Sequence, residues 1–160
     1  MKKIVFLGLI LLLVASSTGF SQNIPLPKDI VIKTPSPELP KEIAAFSGRW
    51  KGTWSGGGAD FILVVTEISL EKAEIVYANS EGQYIPEACD PLTAKVIPGD
   101  SPKIQFNRIV RLKARRVLQP TFQYSFEMQK DLKTIKGILK EPKSTSNATL
   151  EKVQLLNLYR

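Results

Sequence analysis

The feature that most constrains the fold is a segment at residues 46–54 that holds both tryptophans of the chain. It reads Gly-x-Trp-x-Gly-x-Trp from Gly48, so each ring follows a glycine by two residues. In an extended chain Trp50 and Trp54 lie on one face, because side chains alternate between the two faces. Large rings separated by small residues are typical of the first strand of an antiparallel barrel. We therefore predict that Gly48 and Trp50 plug one end of such a barrel.

The N-terminus has the layout of an export signal. Two lysines follow Met1, residues 4–15 are apolar, and residues 16–21 are small or polar. The apolar run is shorter than the ~20 residues that a spanning helix needs, which favours a cleavable signal peptide. Residues 1–21 are thus predicted to direct the protein to the periplasm or the outside of the cell. The alternative is an uncleaved N-terminal membrane anchor.

Composition removes most enzyme classes. The chain has no histidine and a single cysteine, Cys89, so neither an imidazole-assisted nucleophile nor an intrachain disulfide is available. Glu67, Glu71 and Glu74 are too dispersed for a glycosidase carboxylate pair. We expect no catalytic residue, no metal site and no cofactor, and a hydrolase is only the third, disfavoured hypothesis. Cys89 precedes Asp-Pro and is predicted to lie in a loop.

Three regions follow from the distribution of proline and of apolar residues. Residues 1–21 form the signal, and residues 22–40, with five prolines, are predicted to be an extended tether. Residues 41–160 form the remaining domain. Its first element is a short helix at residues 40–46, which begins at a proline and ends before a glycine.

The rest of the domain has the pattern of short β-strands. The clearest is residues 122–128, where Phe122, Tyr124, Phe126 and Met128 alternate with polar residues. Turn-forming residues separate the strands at regular spacing, and no long helical pattern is present. The prediction is an all-β, antiparallel up-and-down β-barrel of about eight to ten strands, preceded by a short helix. The later strands are predicted at residues 61–68, 72–77, 92–97, 103–106, 110–115, 122–128, 134–139, 149–153 and 155–159.

The short helix, the Gly48-x-Trp50 strand and the antiparallel run resemble the calycin group, which comprises lipocalins, fatty-acid-binding proteins and small bacterial relatives. Lipocalins also carry a late cationic residue that packs over this tryptophan, and Lys152 and Arg160 are the candidates. The Thr-Asp-Tyr segment of lipocalins is missing. The doubled pattern is therefore most similar to small secreted bacterial barrel domains.

The resemblance implies a non-enzymatic protein that holds a small hydrophobic or amphipathic ligand inside the barrel. Inward-facing side chains either fill such a barrel or line a pocket, and both possibilities remain open at this stage. The candidates for ligand contact are Trp54, Phe61, Leu63, Tyr77, Phe122, Tyr124, Phe126 and Met128.

A cationic stripe supports an alternative function. The net charge is +7, and Arg111, Lys113 and Arg115 alternate with apolar residues in a stretch from Lys103 to Arg116 that has no acid. On a strand they would form one face, which could bind an anionic lipid surface, an acidic glycan or an acidic protein as an envelope interaction module. Alternatively, the stripe is simply solvated. Nucleic acid is not expected as a partner, because no aromatic residue alternates with these cations to stack on bases. The oligomeric state is left open.

Overall fold

The computed structural model describes residues 24–56, 59–83, 85–113 and 119–153. Eight antiparallel strands follow one another around a closed barrel, and the last strand pairs with the first. The predicted signal peptide, Arg115, Arg160 and the strand predicted at 155–159 lie outside the described residues. Within them, no helix is long and apolar enough to cross a membrane. The elements are α1 (Lys41–Ala44), β1 (Gly48–Thr53), β2 (Asp60–Ile68), β3 (Lys72–Asn79), β4 (Ala88–Ile97), β5 (Lys103–Ile109), β6 (Thr121–Met128), β7 (Thr134–Lys140) and β8 (Thr145–Lys152).

The predicted fold class is confirmed in topology and in the direction of the side chains. On β6, Phe122, Tyr124, Phe126 and Met128 are all buried, whereas the residues between them are exposed or half-buried. The same alternation runs along β5 and β7. Burying each large apolar side chain stabilises the folded state by about 1.5–3 kcal/mol, so these inward faces account for much of the drive to close the barrel.

One end of the barrel is plugged by Trp50. Its indole N–H donates to the carbonyl oxygen of Phe46 at 2.7 Å, and the ring is fully buried. The Lys152 ammonium lies 5.2 Å from the ring centroid and donates to the carbonyl oxygen of Ala45 at 3.2 Å. Burial lowers the pKa of Lys152. Lys152 thus packs over Trp50, and it also ties β8 to the end of α1.

Small residues on the inward face make room for the rings. A Cβ atom at Gly137 would lie 3.0 Å from Trp54 Cη2 and from Phe126 Cε1. At Gly52, which stands between the two tryptophans, it would lie 3.0 Å from Phe61 Cζ. The interleaving of glycine and tryptophan in β1 therefore has a packing cause.

The prediction of a loop around Cys89 is wrong, because β4 already begins at Ala88 and Cys89 is half-buried within this strand. β4 pairs with β3 from Ala88 to Lys95 but with β5 only through Lys95–Ile97. Pro91 lies where β4 has no β5 partner, so its missing N–H interrupts no bond of that ladder. Burial raises the pKa of the Cys89 thiol, and the neighbouring Asp90 raises it further.

The strand predicted at residues 110–115 is absent in its described part. β5 ends at Ile109, and Lys113 lies in a turn beyond an irregular segment. Arg111 and Lys113 therefore do not extend the alternating face of β5, and the predicted strand face is wrong for these two residues of the stripe.

The described part of the proline-rich segment contacts the barrel at two places. The backbone N–H of Lys33 donates to the Thr66 carbonyl oxygen at 2.8 Å, and the Lys33 ammonium pairs with Glu67 at 2.6 Å. Thr66 lies where the register of β2 and β3 shifts between Val65 and Glu67. Leu39, just before α1, packs against the core.

Candidate functional site

A cavity of about 350 Å³ lies at the end of the barrel opposite the Trp50 plug. Its floor consists of inward side chains, namely Trp54, Tyr77, Phe122, Tyr124 and Leu139. Its rim comes from the loops between β1 and β2, β3 and β4, β5 and β6, and β7 and β8, because all four connections lie at this end of an up-and-down barrel. The described rim residues are Ser55, Gly56, Ala59, Gly82, Gln83, Ile85, Leu112, Glu141, Ser144, Thr145 and Ser146.

The floor is rigid because its rings pack on one another. Trp54 stacks on Phe61 with a centroid distance of 4.6 Å, and Tyr124 stacks on Phe106 at 4.8 Å. The rings of Tyr77 and Tyr124 lie 5.0 Å apart. Aromatic pairs of this geometry contribute about 0.5–1.5 kcal/mol each beyond their burial. The site is therefore a preformed surface on top of a filled core.

A buried polar network crosses this floor. The indole N–H of Trp54 donates to the Tyr77 hydroxyl at 2.9 Å, and the ring of Tyr124 lies beside that of Tyr77. The Arg108 guanidinium donates to an Asp90 carboxylate oxygen at 2.5 Å. It also donates to the Asn79 side-chain oxygen at 3.0 Å, and its central carbon lies 5.3 Å from the Tyr77 ring centroid.

The electrostatics keep both tyrosines neutral and Arg108 charged. Burial raises the pKa of Tyr77 well above its ordinary value of 10.0. Burial also raises the pKa of Tyr124, although the nearby Arg108 opposes the change. Burial by itself lowers the pKa of Arg108, but Tyr124 and Asp90 outweigh that effect and raise it. The floor thus combines two neutral hydroxyls with one guanidinium that already has a carboxylate partner.

Two pairs of contacts hold the rim together, the first between two loops and the second between the β1–β2 loop and β8. Lys113, beyond β5, donates to the Glu81 carboxylate and to the Gly82 carbonyl oxygen at 2.9 Å, which links the β5–β6 loop to the β3–β4 loop. On the other side, the Ser55 N–H donates to the Asn147 carbonyl oxygen at 2.8 Å, and the Asn147 N–H returns to the Ser55 hydroxyl at 2.9 Å. The first pair depends on an exposed ion pair, whereas the second consists of backbone donors.

A second concave region lies on the outer face of β1 and β5–β8. It has a volume of about 560 Å³ and exposes Ile138 among charged and hydroxyl side chains, with Lys103 and Glu127 paired across it at 2.8 Å. This groove is larger than the cavity at the open end, but it is shallower, and Ile138 and Trp54 are its large apolar lining residues among mostly polar ones. The open end is the stronger candidate for a small molecule, because aromatic walls and a few converging polar groups are typical of ligand sites.

The structure divides the predicted ligand-contact residues into two groups. Trp54, Tyr77, Phe122 and Tyr124 line the cavity, while Phe61, Leu63, Phe126 and Met128 pack in the interior away from it. The interior is therefore filled in its deeper part and open at its mouth. Of the anion-contact candidates, Arg111 is exposed, Lys113 is hydrogen bonded in the rim, and Arg115 lies outside the described residues.

Sequence reasoning missed the residues around Arg108. Asn79, Asp90 and Arg108 bring the polar groups of three neighbouring strands together beside the tyrosines. The sequence did contain a signal that Arg108 points into the barrel, because Ile104, Phe106 and Arg108 alternate on one face of β5. Among the residues that the structure describes, no group of three or more histidine, cysteine, aspartate or glutamate side chains is placed to hold a metal ion.

Comparison of the chain with protein-family models, with curated proteins and with solved structures finds no match. The closed eight-stranded antiparallel barrel and its buried aromatic cluster are therefore described from the geometry alone.

Proposed function

We propose that the protein is an exported, non-enzymatic binding protein of calycin type, which holds a small hydrophobic or amphipathic molecule in the open end of its barrel. The observation that carries this proposal is the cavity of about 350 Å³ whose floor is built from Trp54, Tyr77, Phe122 and Tyr124. The contact of Lys152 with Trp50 supports the calycin assignment, and the signal-like N-terminus supports export.

The size and depth of the cavity limit the ligand. Sites for small molecules usually measure about 300–1,000 Å³, so this cavity suits a compact molecule near the lower bound. Phe61 and Phe126 fill the barrel beneath the floor, so a long chain has no room to descend along the axis. The ligand lies across the mouth, against the rings and beneath the rim loops.

The rim provides a route in. The pair of loops joined by Lys113 carries Leu112 and Ile85, two half-buried apolar residues that cover the cavity and pack against the core. Exposed ion pairs contribute only about 0–1 kcal/mol, so this pair of loops separates more easily than the pair joined at Ser55. The molecule enters between them when the Lys113–Glu81 contact opens.

Native mass spectrometry of the mature protein, purified from its own cell envelope, tests the proposal. We expect a population heavier than the bare chain by one small molecule. Leu139→Phe, which adds bulk to the cavity floor, should abolish that population. Ile138→Phe is the matched control, because the adjacent side chain faces the outer groove. Loss of the adduct in Ile138→Phe alone would place the ligand on the outside and contradict the proposal.

The alternative, an envelope interaction module that uses an outer cationic face, has less support. It requires Arg111, Lys113 and Arg115 to face a partner together. Lys113 is instead engaged with Glu81 and Gly82, and the described residues 110–113 do not form a strand. A vesicle-binding comparison that tests this alternative is given in the Discussion.

A further inference from the structure

The two hydroxyls at the cavity floor hold O–H protons for which the described residues provide no hydrogen-bond acceptor. An indole N–H can only donate, so Trp54 fills an acceptor position on Tyr77 and leaves the O–H proton of Tyr77 unused. Within the described part of the chain, no hydrogen bond carries that proton to an acceptor.

That remaining proton is available to a bound molecule. Tyr77 and Tyr124 both line the cavity, and their side chains are otherwise enclosed by Trp54, Phe61 and Phe106. A buried hydroxyl whose proton finds no acceptor costs about 1–3 kcal/mol. A ligand that brings an acceptor to this point removes the cost, whereas a purely hydrocarbon ligand leaves it in place.

The charges around the floor disfavour an anion as that acceptor. Among the described residues, the cation beside the tyrosines is Arg108, which is already paired with Asp90 and hydrogen bonded to Asn79. Of the described residues that line the cavity, Glu141 alone is charged, and its charge is negative. A carboxylate moved into this site would lose its hydration without gaining an unpaired cation from the described residues, which is unfavourable.

From these two observations we infer that the ligand is an electrically neutral molecule with a hydrogen-bond acceptor, such as a ketone, an ester or an ether, placed against the Tyr77 and Tyr124 hydroxyls. This inference rests on the proposed function, since it names the class of molecule that the same cavity takes. Sites built around a buried polar group discriminate strongly against molecules that cannot satisfy it.

A matched series of linear molecules tests the inference by calorimetric titration of the mature protein. Decanone carries a neutral acceptor, decanoate carries a charged one and decene carries none. We expect decanone to bind roughly tenfold more tightly than each of the others, as one satisfied buried hydrogen bond provides. Equal or tighter binding of decanoate or of decene to the wild-type protein would overturn the inference while leaving the binding function intact. Failure of all three to bind would overturn the inference, whereas the binding function is overturned only if the protein from its own cell envelope also carries no adduct in the native mass spectrum.

A single substitution should change the preferred class. Asp90→Asn keeps the shape of the side chain but leaves Arg108 without its counter-charge. Decanoate should then gain roughly tenfold in affinity relative to decanone. Asp100→Asn, the same change in the exposed turn between β4 and β5, is the control and should keep the wild-type order. An unchanged order in Asp90→Asn would show that Asp90 does not set the charge preference and would overturn the charge argument.

Discussion

The indole of Trp54 is joined to the hydroxyl of Tyr77, on the far side of β2, by a hydrogen bond of 2.9 Å beneath the open end of the barrel. The bond links the Gly-x-Trp-x-Gly-x-Trp segment to the cavity floor. It gives the two tryptophans different roles, since Trp50 plugs one end and Trp54 supports the site at the other.

Removing the acceptor of this bond should destabilise the fold. In Tyr77→Phe the buried Trp54 N–H loses its partner, and we expect a loss of about 1–3 kcal/mol in the free energy of unfolding. Denaturant melts measure it, and a double-mutant cycle with Trp54→Phe isolates the bond. A coupling energy of zero between the two substitutions would show that the bond contributes nothing.

Trp50→Ala should lower the free energy of unfolding by more than Tyr77→Phe does, because it truncates a fully buried aromatic side chain. Losses of about 3–5 kcal/mol are typical of such changes, and here the Phe46 carbonyl and Lys152 also lose a partner. Val31→Ala is the control, since Val31 is 77% exposed. If the two variants melt at the same denaturant concentration, Trp50 is not the plug of the barrel.

The rim contact between Lys113 and Glu81 should control access to Trp54. Lys113 lowers the pKa of the Glu81 carboxyl by hydrogen bonding and by its charge, so the contact persists at neutral pH. Because the pKa is lowered in the folded state, the contribution of the contact is lost only as the pH falls through that lowered value, below the ordinary 4.5.

Quenching by acrylamide measures this access. In a Trp50→Phe background, Trp54 is the only source of tryptophan fluorescence. The further substitution Glu81→Gln should increase the quenching of this fluorescence at neutral pH. The expected level is the one that the Trp50→Phe protein itself shows at acidic pH. Glu87→Gln, an exposed position of the same loop, should leave quenching unchanged. Identical quenching in all three proteins would mean that the contact does not close the rim.

The cationic segment after β5 should not bind anionic membranes by itself. Replacement of Arg111, Lys113 and Arg115 by glutamine should leave stability nearly unchanged, because exposed charges contribute little. We expect wild type and triple variant to be retained equally on anionic vesicles, since Lys113 already has a carboxylate partner. Binding by the wild type alone at low salt, lost at physiological salt where screening lengths shorten to ~8 Å, would favour the interaction module.

Alternation in the sequence was sufficient to predict the barrel and much of its interior. β6 shows why, because its four large side chains keep period two from Phe122 to Met128 and all are buried. Where the pattern was broken, pairing between distant strands decided the structure. Ala88–Pro91 has the local chemistry of a turn, yet β3 pairs with it residue by residue and makes it part of β4.

The candidate site was only half predictable. Its aromatic residues follow from the pattern, but Arg108 was not among the predicted site residues. The alternation on β5 indicates that Arg108 points inward, but its partners Asp90 and Asn79 come from other strands and have no local signal. Conversely, alternation continues past Ile109 without a strand, because the chain turns over the mouth and Lys113 meets Glu81 there.

The two indole N–H resonances of the mature protein provide the most direct test of ligand binding at the open end. During titration with decanone, observed by NMR, the Trp54 resonance should shift and saturate, because its partner Tyr77 lines the cavity. The Trp50 resonance should stay in place, because its N–H donates to Phe46 at the plugged end. A saturating shift confined to Trp54 is the expected result. No shift of Trp54, or a shift of Trp50 instead, would contradict binding in the mouth of the barrel.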